Sequence, residues 1–361
     1  MAHSTLKGKA LEYFMRKLLL GCGFTPIKSD GTVIYDGSVG QMVHGLGQPH
    51  NADVLMSPPI QTPFYYPTNL IVECKWHNEP LGIPFARNVL GLREDINHFD
   101  IVTKDILDAR KTYRSKTPKL YPFDRCIYQV ALASVSGFKR TTVEFANVHR
   151  IPLISFASAA LFEPLRNFLN MVDEAEFIYS KKDLALLENV FAGKKEWESL
   201  SDNMTYQYDL IGFFRYVDEL TWNVNIAILK NGTLLFLHEV EEYERQNSNH
   251  FYDDQGTFRL YWDDRKSIWT LCGQEKTYQF ELPGEMLKEW KQASDQWEND
   301  FKTREKALHL KQGYFSEIYL LSNRNGKSNV ETLRLNKIFL DEAYERLYSR
   351  NDKGNTDIRE D

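Results

Sequence analysis

The heptapeptide LIVECKW, residues 70–76, decides the fold of the first half of the chain. Its apolar residues predict a buried strand, and two charged residues interrupt them. Glu73 and Lys75 are two positions apart, so both side chains leave the same face of the strand, while Cys74 points to the opposite face. Charged groups in such a strand are costly unless they are paired or bound to a metal ion. The pattern therefore indicates a functional site at this strand.

Helical and strand-like stretches alternate around this strand. Apolar residues spaced three and four apart predict a helix over residues 5–20, ended by Gly21 and Gly23. Further helices are predicted over residues 85–114 and 141–149, and further strands over residues 32–43, 52–56, 128–135 and 151–156. This order predicts an α/β fold in which helices flank a central mixed sheet.

A different pattern follows a polar stretch at residues 193–203. Alternating or continuous apolar runs predict strands, and Asn231-Gly232 is a strong hairpin signal between two of them. The predicted strands are residues 205–217, 222–230, 233–241, 258–262, 267–272 and 277–282, and the predicted helices are residues 158–192, 285–311 and 330–348. We expect a first domain (1–165), a helical connector and linker (166–204), a second α+β domain with an antiparallel sheet (205–348) and a flexible tail (349–361).

Composition argues against several classes of protein. No apolar run approaches the roughly 18 residues that span a bilayer, and the N-terminal segment lacks an apolar signal core. The four cysteines lie far apart, which argues against a disulfide framework and a Cys-rich zinc site. We therefore expect a cytoplasmic protein without membrane contact. Residues 1–160 contain 18 Lys and Arg against 13 Asp and Glu, whereas the remainder contains 26 against 37. The basic first half favours contact with a polyanion.

Asp53 opens the predicted strand 52–56. If this strand pairs with LIVECKW in the antiparallel sense, the carboxylates of Asp53 and Glu73 converge. With a backbone carbonyl they form a hard oxygen site that suits Mg²⁺, for which Mn²⁺ can substitute. Such an ion lowers the pKa of a water and neutralises charge in phosphodiester hydrolysis, and Lys75 would orient that water or help to deprotonate it. Glu12, at the border of the apolar face of the first helix, would be a further ligand, and Gly8 leaves room for a nucleic-acid backbone.

Five further residues are candidates for contact with nucleic acid. His50 and Asn51 would contact the scissile phosphate, hold the following aspartate in position, or form a hydrogen bond within their loop. Lys139, Arg140 and Arg87 would bind phosphates, although a solvated surface explains each of them equally well.

Four stretches of the first half match a known pattern when they are taken together. They are GKALEYFMRKLLLGCGF (8–24), GLGQPHNADVL (45–55), LIVECKW (70–76) and VALASVSGFKRTTVEFANVHRIPLISF (130–156). This set resembles the PD-(D/E)xK nuclease superfamily, and in particular its Mrr-like restriction endonuclease branch. The resemblance implies a restriction-endonuclease-like mixed sheet, with Asp53, Glu73 and Lys75 as the catalytic triad and Glu12 as a helix-borne acid. Position 73 departs from the branch, which often has Gln there, although Glu is the commoner residue in the superfamily.

The sequence thus predicts a Mg²⁺-dependent DNA endonuclease. The resemblance implies a role in prokaryotic restriction or anti-phage defence, with a companion defence protein as a further partner. Cleavage of both DNA strands needs two active sites, which favours a homodimer or a higher oligomer. We expect the second domain (205–348) to recognise the target, to sense a trigger or to form the oligomer. Three alternatives stay open: a DNA repair or junction-resolving nuclease, an RNA-cleaving nuclease, and a nucleic-acid-binding protein that keeps the fold without catalysis.

Overall fold

A five-stranded mixed sheet lies at the centre of the first part of the chain. The computed structural model describes residues 3–37, 40–61, 66–99, 126–157, 159–174, 181–200, 210–230, 232–240, 256–263, 268–273, 276–294, 301–324 and 327–356. In spatial order the sheet contains β1 (Thr25–Pro26), β5 (Val54–Ser57), β6 (Thr68–Lys75), β7 (Ile127–Ser134) and β8 (Leu153–Ser155). β1, β5 and β6 are antiparallel, whereas β6, β7 and β8 are parallel. The predicted mixed sheet is confirmed, as is the antiparallel pairing of residues 52–56 with LIVECKW.

A small antiparallel sheet precedes β5 in the chain. Its strands are β2 (Ile34–Asp36), β3 (Gln41–Val43) and β4 (His50–Asn51). The predicted strand over residues 32–43 corresponds to β2 and β3, while β4 is too short to leave a pattern in the sequence. This sheet ends two residues before Asp53 and so positions the approach to it.

Helices cover both faces of the central sheet. α1 (His3–Gly21) packs on one face, and α2 (Ile83–Asn97) and α3 (Arg140–Val148) pack on the other. The side chains of β6 alternate accordingly, because Val72 and Cys74 join the core under α1 and Ile71 joins the core under α2 and α3. α2 ends at Asn97, and residues 100–114 of the longer predicted helix lie outside the described residues.

Three more helices extend the core under α1. They are α4 (Glu163–Glu174), α5 (Lys181–Phe191) and α6 (Leu210–Asn223). The predicted strand over residues 205–217 is wrong, because α6 occupies its described part. Phe213, Phe214 and Val217 are buried at helical spacing in the same core as α1, so the apolar run forms a helix face. The predicted domain limits remain predictions, but the first core reaches as far as Val224.

Seven strands form a closed barrel in the second part of the chain. They are β9 (Val224–Leu229), β10 (Leu234–Val240), β11 (Thr257–Asp263), β12 (Ile268–Gly273), β13 (Thr277–Phe280), β14 (Glu317–Arg324) and β15 (Lys327–Leu335), in the spatial order β10-β13-β12-β11-β15-β14-β9. The β9–β10 and β11–β12 hairpins confirm the predicted pairings. The prediction of a plain antiparallel sheet is wrong in two respects. The strands close into a barrel, and one pair of neighbours, β11 and β15, is parallel.

The closure arises from a hairpin that the sequence pattern did not reveal. Part of β15 falls within the predicted helix over residues 330–348, yet this strand pairs with β14. β14 also pairs with β9, and β15 reaches β11, so this hairpin fills the gap that would otherwise leave two free edges.

The remaining helices are α7 (Gly284–Ser294), α8 (Phe301–Phe315) and α9 (Lys337–Thr356). α7 and α8 contact each other, so the single long helix predicted over residues 285–311 is wrong. α9 runs beyond the predicted end at residue 348, and the described part of the expected tail is therefore helical. Within the described ranges, no helix is both long enough and apolar enough to cross a membrane.

Candidate active site

The ammonium of Lys75 lies between two carboxylates at one edge of the central sheet. Its Nζ is 2.9 Å from Glu73 Oε2 and 3.5 Å from Asp53 Oδ2. Val54 pairs with Val72 across β5 and β6, and continuing this register by one residue places Asp53 opposite Glu73. The structure thus brings together the three side chains that form a catalytic triad according to the resemblance.

Asp53 is fixed by the backbone of the neighbouring strand. Its Oδ2 accepts the N–H of Cys74 at 2.9 Å, and its Oδ1 accepts a hydrogen bond from the Asn51 amide at 3.5 Å. The Cys74 side chain is buried in the core under α1, on the face that the sequence predicted. The side chains of Asp53, Glu73 and Lys75 are 11%, 15% and 33% exposed. The cluster is therefore not an ion pair on a solvent-facing strand.

The electrostatics of the cluster favour a charged Lys75. Burial and the nearby charge of Asp53 raise the pKa of Glu73, while Lys75 opposes that rise. Burial of Lys75 disfavours its charged form, but the two carboxylates outweigh burial and hold the pKa of Lys75 above its ordinary value. Lys75 consequently remains an ammonium at neutral pH in this arrangement.

Glu12 interacts with the same cluster from helix α1. Burial, followed by the charge of Asp53, raises the pKa of Glu12 to about 7. The positive charges of Arg16 and Lys9 on the same helix partly oppose this rise. A Cβ at Gly8 would meet open space, which agrees with the room for a ligand expected one turn before Glu12. Glu12 is thus a third acid near Asp53, and one that is partly protonated at neutral pH.

The donor atoms fit a magnesium ion held by two carboxylates. Asp53 and Glu73 present hard oxygen atoms toward one positive charge, and Mg²⁺ is usually bound through one or two carboxylates, with water and substrate phosphate as its other ligands. Among the described residues, no three His, Cys, Asp or Glu side chains form a group that could hold a metal ion. The structure therefore does not assemble Glu12 with Asp53 and Glu73 into a site with three protein ligands.

His50 contacts a residue that sequence reasoning missed. His50 Nε2 is 2.6 Å from Asp95 Oδ2 on helix α2, 45 positions away in the sequence. The hydrogen bond with His50, followed by one from the Gly47 N–H, lowers the pKa of Asp95. Asp95 lies in the stretch REDIN, residues 93–97. In the sequence it cannot be distinguished from an ordinary solvent-exposed carboxylate on a helix. Asn51, the second residue of β4, is exposed, and its side-chain amide contacts Asp53.

The three basic candidates lie on the helical layer formed by α2 and α3. Lys139 directly precedes α3 and is exposed. Arg140 is 81% exposed and forms an ion pair with Glu144, with 2.9 Å between Nε and Oε1. The guanidinium of Arg87 lies 6.0 Å from the ring centre of Phe145. Within the described ranges, none of the three basic side chains pairs with the carboxylates of the cluster, and their role in binding phosphates stays a prediction.

Comparison with known proteins does not assign a family. No family model matches the chain, and no curated protein matches it. A crystal structure described as a protein of unknown function, AF1548, is similar over 58% of this chain and 98% of its own, with 13% sequence identity and a TM-score of 0.32. A similarity of this size establishes neither a shared fold nor a shared activity, so the function is inferred from the side chains of the site.

Proposed function

We propose that the chain is a Mg²⁺-dependent endonuclease that hydrolyses DNA phosphodiester bonds and is related to the Mrr-like branch of the PD-(D/E)xK nucleases. The observation that carries the proposal is the contact of Lys75 with both Asp53 and Glu73 at the edge of a mixed sheet. Two mostly buried carboxylates beside an ammonium can hold a divalent cation and meet an anionic phosphate. Glu12, with its raised pKa, adds a group that a simple ion pair would not require.

Each side chain of the cluster has a distinct proposed role. Asp53 and Glu73 would hold the metal ion through their carboxylate oxygens. When bound, Mg²⁺ lowers the pKa of a water ligand and neutralises charge on the phosphate. Lys75 would donate hydrogen bonds to the attacking water or to the phosphate. Glu12, with a pKa of about 7, is the group in the cluster best suited to exchange a proton with water at neutral pH.

The remaining parts of the proposal follow from charge and resemblance. DNA is the proposed substrate, since the first half of the chain is basic and resembles DNA-cleaving enzymes. A cut through both strands requires two sites, so we propose a homodimer or a larger oligomer. Restriction or anti-phage defence, a companion defence protein and a cytoplasmic location belong to the same proposal and derive from the resemblance.

A cleavage assay with matched lysine variants tests the proposal. The full chain is incubated with plasmid DNA, modified DNA, branched DNA and RNA, with Mg²⁺, with Mn²⁺ and with chelator. We expect cleavage of DNA that requires the metal ion, is abolished by Lys75→Ala and is unchanged by Lys28→Ala, at an exposed lysine of the same domain. Cleavage by Lys75→Ala at the rate of the wild type would refute the assignment. Digestion of RNA alone, or of branched DNA alone, would show that the proposed substrate is wrong but that the proposed active site is right.

A further inference from the structure

A single residue of helix α2 fixes the loop that leads to Asp53. Asp95 Oδ1 accepts the Gly47 N–H at 2.8 Å, and Asp95 Oδ2 is 2.6 Å from His50 Nε2. The backbone carbonyl of Asp95 accepts the N–H of Leu46 at 3.0 Å. Three contacts from one residue thus hold the loop formed by residues 45–50, whose sequence is GLGQPH.

The loop is shaped to admit the Asp95 carboxylate. A Cβ at Gly45 would lie 2.0 Å from Asp95 Oδ2 and 2.8 Å from His50 Nε2, so only glycine permits this close approach. The Gly45 N–H also closes the loop by donating to the Gln48 carbonyl at 3.1 Å. The glycine in the loop and the aspartate on the helix are therefore parts of one arrangement.

This arrangement ends at the candidate active site. His50 pairs with Val43 in the small sheet and lies three positions before Asp53. His50 therefore lies at the end of the small sheet that leads to Asp53, while Asp95 holds one of its ring nitrogens.

We propose that Asp95 is a positioning residue of the nuclease site, which holds His50 so that Nδ1 of the imidazole donates a hydrogen bond to the scissile phosphate at the end of the loop that leads to Asp53. This inference rests on the proposed function. With Nε2–H committed to the Asp95 carboxylate, which can only accept, Nδ1 is the ring atom left to face a substrate, and it donates when the ring carries both protons. A hydrogen bond from a charged donor to a phosphate strengthens as negative charge grows in the transition state.

The test is a double-mutant cycle on the full chain with the DNA substrate that the wild type cleaves. We expect Asp95→Ala and His50→Ala each to lower kcat by about 10- to 100-fold, with a smaller change in KM, as is typical when an outer-shell partner of a site is lost. The double variant should be no slower than either single variant, because Asp95 acts through His50. Asp95→Asn can still accept from Gly47, so it should keep the melting temperature of the wild type while kcat falls.

Two controls separate positioning from general loosening of the fold. Asn97→Ala removes hydrogen bonds from α2 to the Tyr128 backbone, two positions from Asp95, and should lower the melting temperature but not kcat. The ¹⁵N chemical shifts of the His50 ring, compared between wild type and Asp95→Ala, report the contact without any substrate.

Each outcome decides one question. An active wild type with unaffected Asp95→Ala and His50→Ala variants would overturn the inference and leave the nuclease proposal standing. Additive losses in the double variant would show that Asp95 acts on the loop and not through His50, which also overturns the inference. A wild type without activity on any nucleic acid would overturn the nuclease proposal and, with it, the inference, even if the ring shifts show that Asp95 and His50 are in contact.

Discussion

The amide of Cys74 donates a 2.9 Å hydrogen bond to the carboxylate of Asp53. This bond joins the residue directly before β5 to the backbone of β6, and it places the Asp53 charge beside Lys75. Asp53 therefore has two separable properties: its oxygen atom satisfies a backbone donor, and its negative charge is available to a metal ion.

Asp53→Asn separates these two properties. The asparagine oxygen can still accept the Cys74 N–H, so we expect the fold to persist, whereas loss of the charge should weaken Mg²⁺ binding at least tenfold, or by about 1.4 kcal/mol. Calorimetric titration of Mg²⁺ into both proteins measures the change. Asp36→Asn, at an exposed acid of the small sheet, is the control and should bind as the wild type does. An unchanged affinity in Asp53→Asn would count against a ligand role for Asp53.

Glu12 predicts a dependence of stability on pH. Its folded pKa of about 7 lies above the ordinary value of 4.5, so between these values the folded state holds a proton that the unfolded state has released. The stability linked to Glu12 is therefore fully present below about pH 4.5 and is lost as the pH rises through 7. Glu12→Gln cannot ionise and should escape this loss.

Urea unfolding in the presence of chelator measures the effect of Glu12→Gln. The variant should match the wild type near pH 4.5 and exceed it at pH 8 by about 3 kcal/mol, an order-of-magnitude value from the size of the shift. Glu79→Gln, at an exposed carboxyl, should show no such divergence. If the two stability curves of wild type and Glu12→Gln stay parallel from pH 4.5 to 8, Glu12 is not the desolvated acid described above.

The sequence predicts the part of the fold in which paired strands follow each other in the chain and have a clear apolar pattern. LIVECKW and the strand after Asp53 are adjacent in the chain, so their antiparallel pairing and the meeting of Asp53 with Glu73 could be predicted. The apolar run in residues 205–217 could not be assigned from the sequence, because a short apolar run is equally compatible with a buried strand and with one face of a helix. Packing against α1 shows that its described part belongs to the helix α6.

Barrel closure and the role of Asp95 depend on contacts between distant residues. β15 is mostly polar and exposed, and it becomes a strand because β14 and β11 provide partners. Its partner residues in β11 lie 77 positions earlier in the chain. Asp95 has the same sequence context as any solvated acid on a helix, and its function becomes visible only when the 45–50 loop folds onto it. The periodicity of the sequence contains neither relationship.

Phe214 tests whether α6 belongs to the first core. Its side chain is fully buried, 5.5 Å from the Tyr13 ring and stacked at 5.6 Å on Trp197. Phe214→Ala should lower the free energy of unfolding by about 3–5 kcal/mol. Trp222→Ala on the same helix is the matched control, because Trp222 is 87% exposed, and it should change stability by less than about 0.5 kcal/mol. Chemical denaturation followed by circular dichroism gives both values, and equal losses in the two variants would contradict the packing of α6.

Two fragments of the chain test where the first folding unit ends. The apolar face of α1 is covered by residues beyond position 165, including Phe191 and Phe214 against Tyr13. A fragment of residues 1–165 would expose this face to water, so we expect it to bind a hydrophobic dye and to unfold without a cooperative transition. A fragment of residues 1–224 keeps α4, α5 and α6 and should unfold cooperatively in urea. If the shorter fragment unfolds as cooperatively as the longer one, with the same midpoint, then α6 does not stabilise the core under α1, and the first domain ends where the sequence alone predicted.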